Sequence, residues 1–515
     1  MMQRRFIVAV RRARVSDSVT RLAATALLSS CLLSGCIDSG GIKPRTHRID
    51  AATLDPGAAL KATQTDARWP ALDWWRRWHD PQLDVLVQQA LVGSPSLRTA
   101  QARLDFANAQ ARIAGAATVP QVSADGDFGR QRYPRYATPS PPGGYTVWSN
   151  NIGLGLSYDL DVSGKNRAAV DSALDAVQAT AADAQSVKLA LETAVVRSYI
   201  QLSLQFTLYD VYQSIQQQQQ QARDIVAQRV HAGLASRLEL SQAETQLDSS
   251  ANQLEQAERA IALIRHQIAA LTGQGPGAGD AIARPALSLD LPVVLPSSLP
   301  AELIGHRPDV VAQRWRVESA SKRIAVAHAD FYPNIDLLAT AGLASATTFG
   351  GFFNFMNNAA AGHRFGAAIS LPIFDGGRLR GRYGAAVADY DAAVEAYNQT
   401  LIVAMQAVAD QVTSLKSLAD QQASVEQAAA SAERSYRLAN QGYRSGVTEF
   451  LNVLAAQADF LRQQQQLALI HAQRLDAWVL LMQALGGGMP PAPVADQPVR
   501  PAEAAKSSGG PGHAP

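Results

Sequence analysis

The chain has little cysteine and almost no excess charge. Two cysteines occur among 515 residues, and 46 basic residues nearly balance 44 acidic ones, which leaves a formal net charge of +2. A disulfide framework is therefore excluded. The basic patch or stripe typical of nucleic-acid binding is also missing, so we expect no nucleic-acid partner.

The sequence also lacks the motifs of common enzyme classes. Its nine histidines include no HExxH pair, the arrangement that places two imidazoles of a zinc site on one helix face. No GxSxG turn is present to expose a nucleophilic serine. We therefore expect no enzyme: no catalytic residues, no metal ligands and no cofactor.

Long apolar runs are missing except near the N-terminus. There Leu22–Leu33 forms an apolar run that follows several arginines and is too short to cross a bilayer. This pattern is typical of a signal peptide. The next residues, Leu33-Ser34-Gly35-Cys36, resemble a bacterial lipobox, in which the cysteine thiol receives a diacylglyceryl group. The competing interpretation is a chance cysteine in an apolar segment.

The lipobox predicts a signal peptide over 1–35 and a lipidated N-terminal segment over 36–82. Cys31 would be removed with the signal peptide, which leaves Cys36 as the single, acylated cysteine. Ile37 stands where an aspartate usually retains such lipoproteins in the inner membrane, so outer-membrane sorting is expected. At the other end, residues 490–515 are rich in Pro, Ala and Gly and are predicted to be a disordered tail.

Proline is absent from two long stretches, 164–275 and 373–489. Gly233 and Gly446 interrupt these stretches, so each predicts one helix running out and one returning, over 165–272 and 378–487. A helix from Lys165 to Ala232 would be roughly 100 Å long. Runs of glutamine make these helices too polar for lipid, so they are expected to project into water.

Several prolines and glycines recur 213 positions apart, without a gap. The pairs are Pro95/Pro308, Pro120/Pro333, Gly153/Gly366, Gly164/Gly377, Gly233/Gly446 and Gly273/Gly486. One constant offset over so many pairs predicts a tandem duplication. We place the first repeat at 83–295 and the second at 296–489.

Each repeat is predicted to open with a helical segment, 83–117 or 300–330, followed by two strands. The strands are expected at about 121–128 and 150–160, then at about 334–343 and 364–373. In the second strand Ile152, Leu154 and Leu156 alternate with Gly and Ser. Such alternation is typical of a membrane β-strand but also of a half-buried strand in a soluble sandwich. The long polar helices favour the membrane strand.

Four strands cannot close a barrel, and open sheet edges are not tolerated in lipid. Two chains would give eight strands, whose interior fills with side chains, whereas three chains give twelve and leave a passage. The predicted fold class is therefore mainly α with membrane β. Three chains are expected to share one 12-stranded membrane β-barrel, four strands per chain, with the long helices projecting from it into water.

The strand-to-helix transitions are predicted to act as hinges. In the second repeat Asp375 is the expected helix N-cap, with Gly376 and Gly377 permitting the bend. Pro372 fits a strand end, where ladder pairing lapses. In the first repeat Ser163-Gly164 is expected to play the same part.

Six stretches together resemble the TolC-like outer-membrane efflux family, and within it the lipoprotein branch that includes OprM and NodT. They are the lipobox at Cys36, DWWRRWHDPQLDVLVQQAL from Asp73, LPAELIGHRPDVVAQRW from Leu299, DFYPNIDL from Asp330, LPIFDGGR from Leu371 and GYRSGVTEFLNVLAAQ from Gly442. The resemblance implies a homotrimeric channel in which a 12-stranded outer-membrane β-barrel, four strands per chain, continues into a long α-helical periplasmic tunnel. It also implies the exit duct of a tripartite pump, with a periplasmic adaptor and an inner-membrane transporter of the RND type.

The resemblance further implies functional residues at the end of the tunnel. The turns around Gly233 and Gly446 would contact the adaptor, Tyr443 would hold coiled helices together in the closed state, and Glu239 would narrow the pore. Where relatives often carry aspartates, this chain has Asn452 and Ala455. We therefore expect weaker block by divalent cations than in relatives with that carboxylate ring. The alternative role of Glu239 and Tyr443 is ordinary helix packing.

Three alternatives remain at this point. The duct could export proteins or peptides rather than small molecules, or the chain could be a structural coiled-coil lipoprotein without a channel. The aromatic stretch Trp74–Asp80 could bind carbohydrate, although packing of the N-terminal segment against the helices is the expected role.

Overall fold

The computed structural model describes residues 40–55, 57, 69–136, 143–287, 306–347 and 352–489. Cys36, the predicted signal peptide and the predicted tail lie outside the described residues. The main elements are α1 (Pro81–Gly93), α2 (Pro95–Ala116), β1 (Gln121–Arg132), β2 (Thr146–Asp159), α3 (Lys165–His231), α4 (Arg237–Leu271), α5 (Pro308–Ala329), β3 (Asn334–Thr347), β4 (Ala361–Ser370), α6 (Arg378–Arg444) and α7 (Phe450–Ala484).

The predicted tandem duplication is confirmed by the element boundaries. The helices α2, α3 and α4 have 22, 67 and 35 residues, and α5, α6 and α7 have the same three lengths. Each helix of the second set begins 213 residues after its counterpart. The two repeats therefore carry one design at nearly every position of the fold.

The four strands form one antiparallel sheet in the order β1-β2-β3-β4. The β2–β3 pairing joins the two repeats, with Ile152 opposite Leu343 and Leu154 opposite Ala341. Since residues directly opposite each other share a face, this register gathers the predicted apolar residues on one side. The other side carries small and polar residues, such as Asp125 opposite Gly153.

The prediction that the fourth strand reaches Ile373 is wrong. The strand β4 covers Ala361–Ser370, and it therefore begins three residues earlier and ends three residues earlier than expected. Pro372 has no N–H to donate to a ladder, and Ile373 and Phe374 are 83% and 93% exposed. The strands β1, β2 and β3 are longer at their loop ends than predicted, reaching Arg132, Thr146 and Thr347.

The predicted helix over 83–117 is two helices, α1 and α2. Ser94 separates them in an extended conformation, with φ −67° and ψ 128°. The cause is Pro95, because a proline ring disfavours the helical conformation in the residue before it. In the second repeat the described helix begins at Pro308, and residues 300–305 lie outside the described part of the chain.

Two aspartates, each preceding a helix by a few residues, satisfy free N–H groups at the strand-to-helix junctions. The N-cap of α6 is Gly377 rather than Asp375, but the Asp375 carboxylate accepts from Leu379 N at 2.8 Å and Gly377 N at 3.0 Å. In the first repeat Asp161, not Ser163, accepts from Asn166 N and Arg167 N at 2.8 and 3.0 Å.

Glycines at these junctions occupy left-handed backbone conformations. The φ angles of Gly164, Gly376 and Gly377 are +71°, +66° and +89°. An L-residue with a side chain pays a steric cost there. The chain therefore turns from strand to helix where a carboxylate and a glycine occur together.

The helices form two antiparallel hairpins, α3–α4 and α6–α7, that also contact each other through α3 and α7. The short helix α5 packs against both α3 and α6. Among the described helices, none is long and apolar enough to cross a membrane.

The main hydrophobic core lies where α1 joins the long helices. Trp74, Trp75 and Trp78 are at most 3% exposed, and Trp78 packs against Trp478 of α7 with ring centroids 5.1 Å apart. The aromatic stretch therefore serves packing, as expected, and presents no open carbohydrate-binding strip.

Asp80 connects three elements beside this core. Its carboxylate caps α1 by accepting from Gln82 N at 3.0 Å and Leu83 N at 3.3 Å. It also accepts from the Tyr199 hydroxyl of α3 at 2.7 Å and from Ala286 N at 2.9 Å. One buried side chain thus fixes α1 and the inter-repeat segment to α3.

We predict that Asp80→Ala lowers the free energy of unfolding by about 2–4 kcal/mol, since it removes a helix cap and leaves buried donors unpaired. Tyr199→Phe is the matched control, because it removes only one of these hydrogen bonds and should cost about 1–2 kcal/mol. Urea unfolding of the detergent-extracted protein, followed by circular dichroism, measures both. Equal costs for the two variants would contradict the connecting role of Asp80.

Candidate functional site

Each helical hairpin, α3–α4 and α6–α7, has a tight turn at the end that is far from the sheet. Gly233 and Gly446 each have φ +74°. Leu234 N donates to Arg229 O at 2.8 Å, and Val447 N donates to Gly442 O at 2.9 Å. This pattern ends a helix with a left-handed residue, for which glycine is favoured. We call the two turns, 232–236 and 445–449, together with the adjoining helical turns, the helical tip.

The two turns differ in how the returning helix begins. Ser236 and Glu239 form a capping box at α4: Ser236 Oγ accepts from Glu239 N at 3.2 Å, and Glu239 Oε1 accepts from Ser236 N at 3.1 Å. At α7 the N-cap residue is Glu449, whose side chain makes no capping hydrogen bond. The predicted pore carboxylate Glu239 therefore also holds its own helix start.

Tyr443 lies at the centre of a small apolar cluster that joins all four long helices. It is 5% exposed and packs with Val226 of α3, Ala243 of α4, and Phe450 and Val453 of α7. The Tyr443 and Phe450 ring centroids are 5.4 Å apart. One tyrosine from the second repeat thus fastens both hairpins at the helical tip.

Arg229 of α3 adds a charged contact to this cluster. Its guanidinium carbon lies 4.7 Å from the centroid of the Tyr443 ring, the geometry of a cation–π interaction. Burial raises the pKa of the Tyr443 hydroxyl, the positive charge of Arg229 opposes that rise, and the charge of Glu239 adds to it. The structure therefore brings Glu239 and Tyr443 into one electrostatic environment.

Asn452 and Ala455 do not belong to the Tyr443 cluster. Both side chains are exposed, and they lie three residues apart on the first turns of α7. Residues at this spacing share a helix face. The exposed face at the start of α7 therefore carries an amide and a methyl group.

A buried glutamine pair near the helical tip was not predicted. Gln219 of α3 donates to Gln457 of α7 at 3.1 Å, and the two side chains are 6% and 3% exposed. In the sequence the glutamine run indicates only that the helices are polar. Gln219 precedes the buried Val226 by seven residues, the spacing of a core position in coiled helices, and that spacing was the available signal.

The described N-terminal segment runs along α6 from its first turn. Gly40 lies beside Arg380 and Ile42 beside Gly384. Further along, Thr46 N and Thr46 Oγ1 donate to Asp391 at 3.2 and 2.9 Å, and Ile49 N donates to Asn398 at 2.9 Å. Gly40 therefore lies at the N-terminal end of α6, which is the end near the sheet.

The described residues contain no group of three or more His, Cys, Asp or Glu side chains placed to hold a metal ion. The features that distinguish this fold are instead the sheet with two unlike faces, the long hairpins and the fastened tip.

Comparison with known proteins assigns this architecture. The sequence matches the outer membrane efflux protein family twice, over residues 86–274 and 299–487. The chain belongs to this family.

Individual relatives agree with the assignment. The chain is 48% identical to the fusaric acid resistance protein FusA of Burkholderia cepacia over 346 residues, which span 67% of this chain and 65% of that protein. It is 30% identical over 447 residues to the multidrug resistance outer membrane protein MdtP of Shigella flexneri, covering 83% of this chain and 89% of that protein.

A solved structure extends the agreement to the fold. The crystal structure of the outer membrane protein VceC from Vibrio cholerae superimposes with a TM-score of 0.76 at 32% identity, over 82% of this chain and all of that chain. The predicted family, fold class and location are thereby confirmed. The chain is an outer-membrane efflux channel, homotrimeric like its family, and works with a periplasmic adaptor and an inner-membrane transporter.

Proposed function

We propose that this channel is a passive exit duct for small molecules, gated at the helical tip, and that it performs no covalent chemistry itself. The fastening of both hairpins through Tyr443 carries the gating proposal. The small-molecule cargo is supported by relatives whose names refer to fusaric acid and to multidrug resistance. Export of proteins or peptides is the alternative. The names of these relatives favour small molecules as the cargo.

The same proposal assigns partners to the exposed parts of the tip. The turns at Gly233 and Gly446 expose Leu234 and Val447, which are 70% and 80% exposed. Exposed apolar side chains can form part of a contact with another protein. We assign these turns to the periplasmic adaptor, and we assign the energy supply to an inner-membrane transporter of the RND type.

Lipidation at Cys36 is part of the proposal and is supported by the path of the N-terminal segment. Gly40 lies beside the first turn of α6, just past the end of β4. Gly40 lies four positions after Cys36, a distance of at most about 14 Å for an extended chain. An acyl group on Cys36 would therefore reach the lipid that surrounds the sheet.

If Tyr443 holds the gate, Tyr443→Ala should raise the open fraction of single channels in planar bilayers. The substitution removes a buried ring from each of three chains, together with a cation–π contact worth about 0.5–2 kcal/mol. Arg229→Ala should shift the open fraction in the same direction but less. Tyr443→Phe is the matched control and should behave like the unmodified channel, because the ring contacts remain.

Two results would count against this gate. An unchanged open fraction in both alanine variants would place the constriction elsewhere. Opening by Tyr443→Phe as strong as that by Tyr443→Ala would assign the closed state to the tyrosine hydroxyl rather than to ring packing.

We predict that Asn452→Asp combined with Ala455→Asp increases channel block by divalent cations. The two substitutions add carboxylates to the exposed face of α7 in every chain, and carboxylate oxygens are preferred ligands of hard cations. Conductance titrated with Mg²⁺ measures the effect. Ala455→Asn, with Asn452 unchanged, is the size-matched control because it has the shape of the aspartate variant without its charge, and equal block in the two variants would exclude these positions from the pore.

We predict that the mature chain begins at an acylated Cys36. Intact mass spectrometry of the outer-membrane fraction should give the mass of residues 36–515 plus lipid. Cys36→Ser should abolish both the lipid and the cleavage, whereas Cys31→Ser, the matched control, should retain them because Cys31 lies in the removed segment. A mature chain with a free Cys36 thiol would refute the anchor.

A further inference from the structure

The end of the sheet that faces the cell exterior carries basic side chains and no acidic ones. The long helices α3 and α6 follow β2 and β4, so the β1–β2 and β3–β4 loops lie at the opposite, outward end of the strands. No Asp or Glu occurs over residues 128–158 or 337–374. The same two stretches contain four arginines, Arg130, Arg132, Arg135 and Arg364. The outward end of each chain is therefore positively charged.

Two of these arginines lie on the lipid-facing side of the sheet. Arg130 lies opposite Trp148, and Arg132 is two residues further along β1, on the same face. Ile152 and Leu154 follow Trp148 at even spacing on β2 and share this face as well. The apolar face of the barrel thus ends in two guanidinium groups.

The spacing along β1 places these groups at the level of the lipid headgroups. Counted from Val122, which is 69% exposed on the apolar face, Arg130 is the ninth residue and Arg132 the eleventh. A β-strand crosses the hydrocarbon layer in about 9–11 residues. Both guanidinium groups therefore lie where the outward leaflet changes from acyl chains to headgroups.

The charges of the β1 arginines are not neutralised by the protein around them. Arg130, Arg132 and Arg135 are exposed, and within the described part of the chain no carboxylate forms an ion pair with any of them. The guanidinium carbon of Arg130 lies 6.0 Å from the centroid of the Trp148 ring. This contact positions the side chain but supplies no opposite charge.

The backbone beyond the strand end holds the third arginine close to the other two. Tyr133 N donates to Tyr145 O, and Gly144 N donates to Tyr133 O, each at 3.0 Å. Arg132 and Arg135, together with Tyr133 and Tyr145, line a cavity of about 590 Å³. Guanidinium groups bind phosphate oxygens through charge-assisted hydrogen bonds.

An apolar shelf lies beside the arginines on the same face. Phe352 packs on Phe128 and Trp148, with ring centroids 5.7 and 5.3 Å apart, and its carbonyl oxygen accepts from Asn150 Nδ2 at 2.7 Å. These contacts fix the short helical turn Phe352–Met356 against the sheet. Phe353 and Met356 remain 71% and 64% exposed there.

We propose that these residues form a binding surface for a phosphorylated lipid of the outer leaflet. Arg130, Arg132 and Arg135 bind the headgroup phosphates, and Phe353 and Met356 contact the acyl chains. Charge complementarity favours this occupant, because the outward stretches contain no carboxylate that would repel a phosphate group. The position of Arg130 and Arg132 favours lipid over a protein partner, since lipid surrounds this face of the barrel.

Native mass spectrometry of the detergent-extracted trimer, titrated with bisphosphorylated lipid A, tests the proposal. The variant Arg130→Gln, Arg132→Gln, Arg135→Gln should bind this lipid about 100-fold more weakly, since each arginine near an anionic lipid contributes roughly a factor of five. Lipid A stripped of both phosphates should bind the unmodified channel as weakly. Replacing the same three arginines by lysine keeps the charge and should lose much less affinity, although the paired donors of arginine are removed.

Arg364→Gln is the matched control within the sheet. Arg364 lies opposite Thr340, which in turn lies opposite Gly155 on the face of small and polar residues. This arginine also lies in an outward stretch free of acidic residues, but it points away from lipid. Its substitution should leave the affinity for bisphosphorylated lipid A unchanged.

Three results would overturn the proposal. Undiminished binding by the triple glutamine variant would exclude the arginines, and equal binding of phosphate-free lipid A would exclude the phosphate contact. An equal loss in Arg364→Gln would assign the binding to the overall charge of the barrel. If the triple glutamine variant fails to assemble, the three single glutamine variants replace it, each with an expected loss of about fivefold. None of these results bears on the exit-duct proposal, which concerns the helical tip.

Discussion

The whole molecule depends on the backbone groups at the two edges of its sheet. Inside lipid no water is present to form hydrogen bonds with the unpaired N–H and C=O groups of an edge strand. The four-stranded sheet of a single chain is therefore unstable there. Identical copies of the chain must close the barrel, and this requirement fixes the number of chains. The number of chains in turn fixes the width of the helical body below the barrel. The duplication satisfies the same constraint inside the chain, since each repeat presents the same hairpin in the same register.

The junction below the sheet turns this constraint into a tunnel. Each outgoing helix must start directly where a strand ends, so its first N–H groups need partners at that point. Asp161 and Asp375 provide them, and Asp375 follows Asp161 by 214 residues, one more than the repeat length of 213. Lys165 of α3 then binds Asp330 at 2.7 Å, which ties the start of one long helix to the end of α5.

Much of this architecture could be predicted from the sequence, because it rests on periodicity. The duplication, the apolar strand face and the two long hairpins all follow from spacing alone. Strand β4 ended early because Pro372 overrides the alternation that continues past it. The contact of Arg229 with Tyr443 and the pairing of Gln219 with Gln457 could not be predicted, because each joins helices distant in sequence, and a helical pattern indicates which face is buried but not which residue it contacts.

The two repeats agree closely in the sheet and differ at the helical tip. Glu239, which completes the capping box of α4, corresponds to the exposed Asn452, and Tyr443 corresponds to Val230. In the sheet the two hairpins keep one register, although their strands differ in length. At the tip no such register is imposed, so one hairpin can be firmly capped while the other, without a side-chain cap, supplies the tyrosine. In the proposed gate, this asymmetry assigns the fixed part to α3–α4 and the moving part to α6–α7.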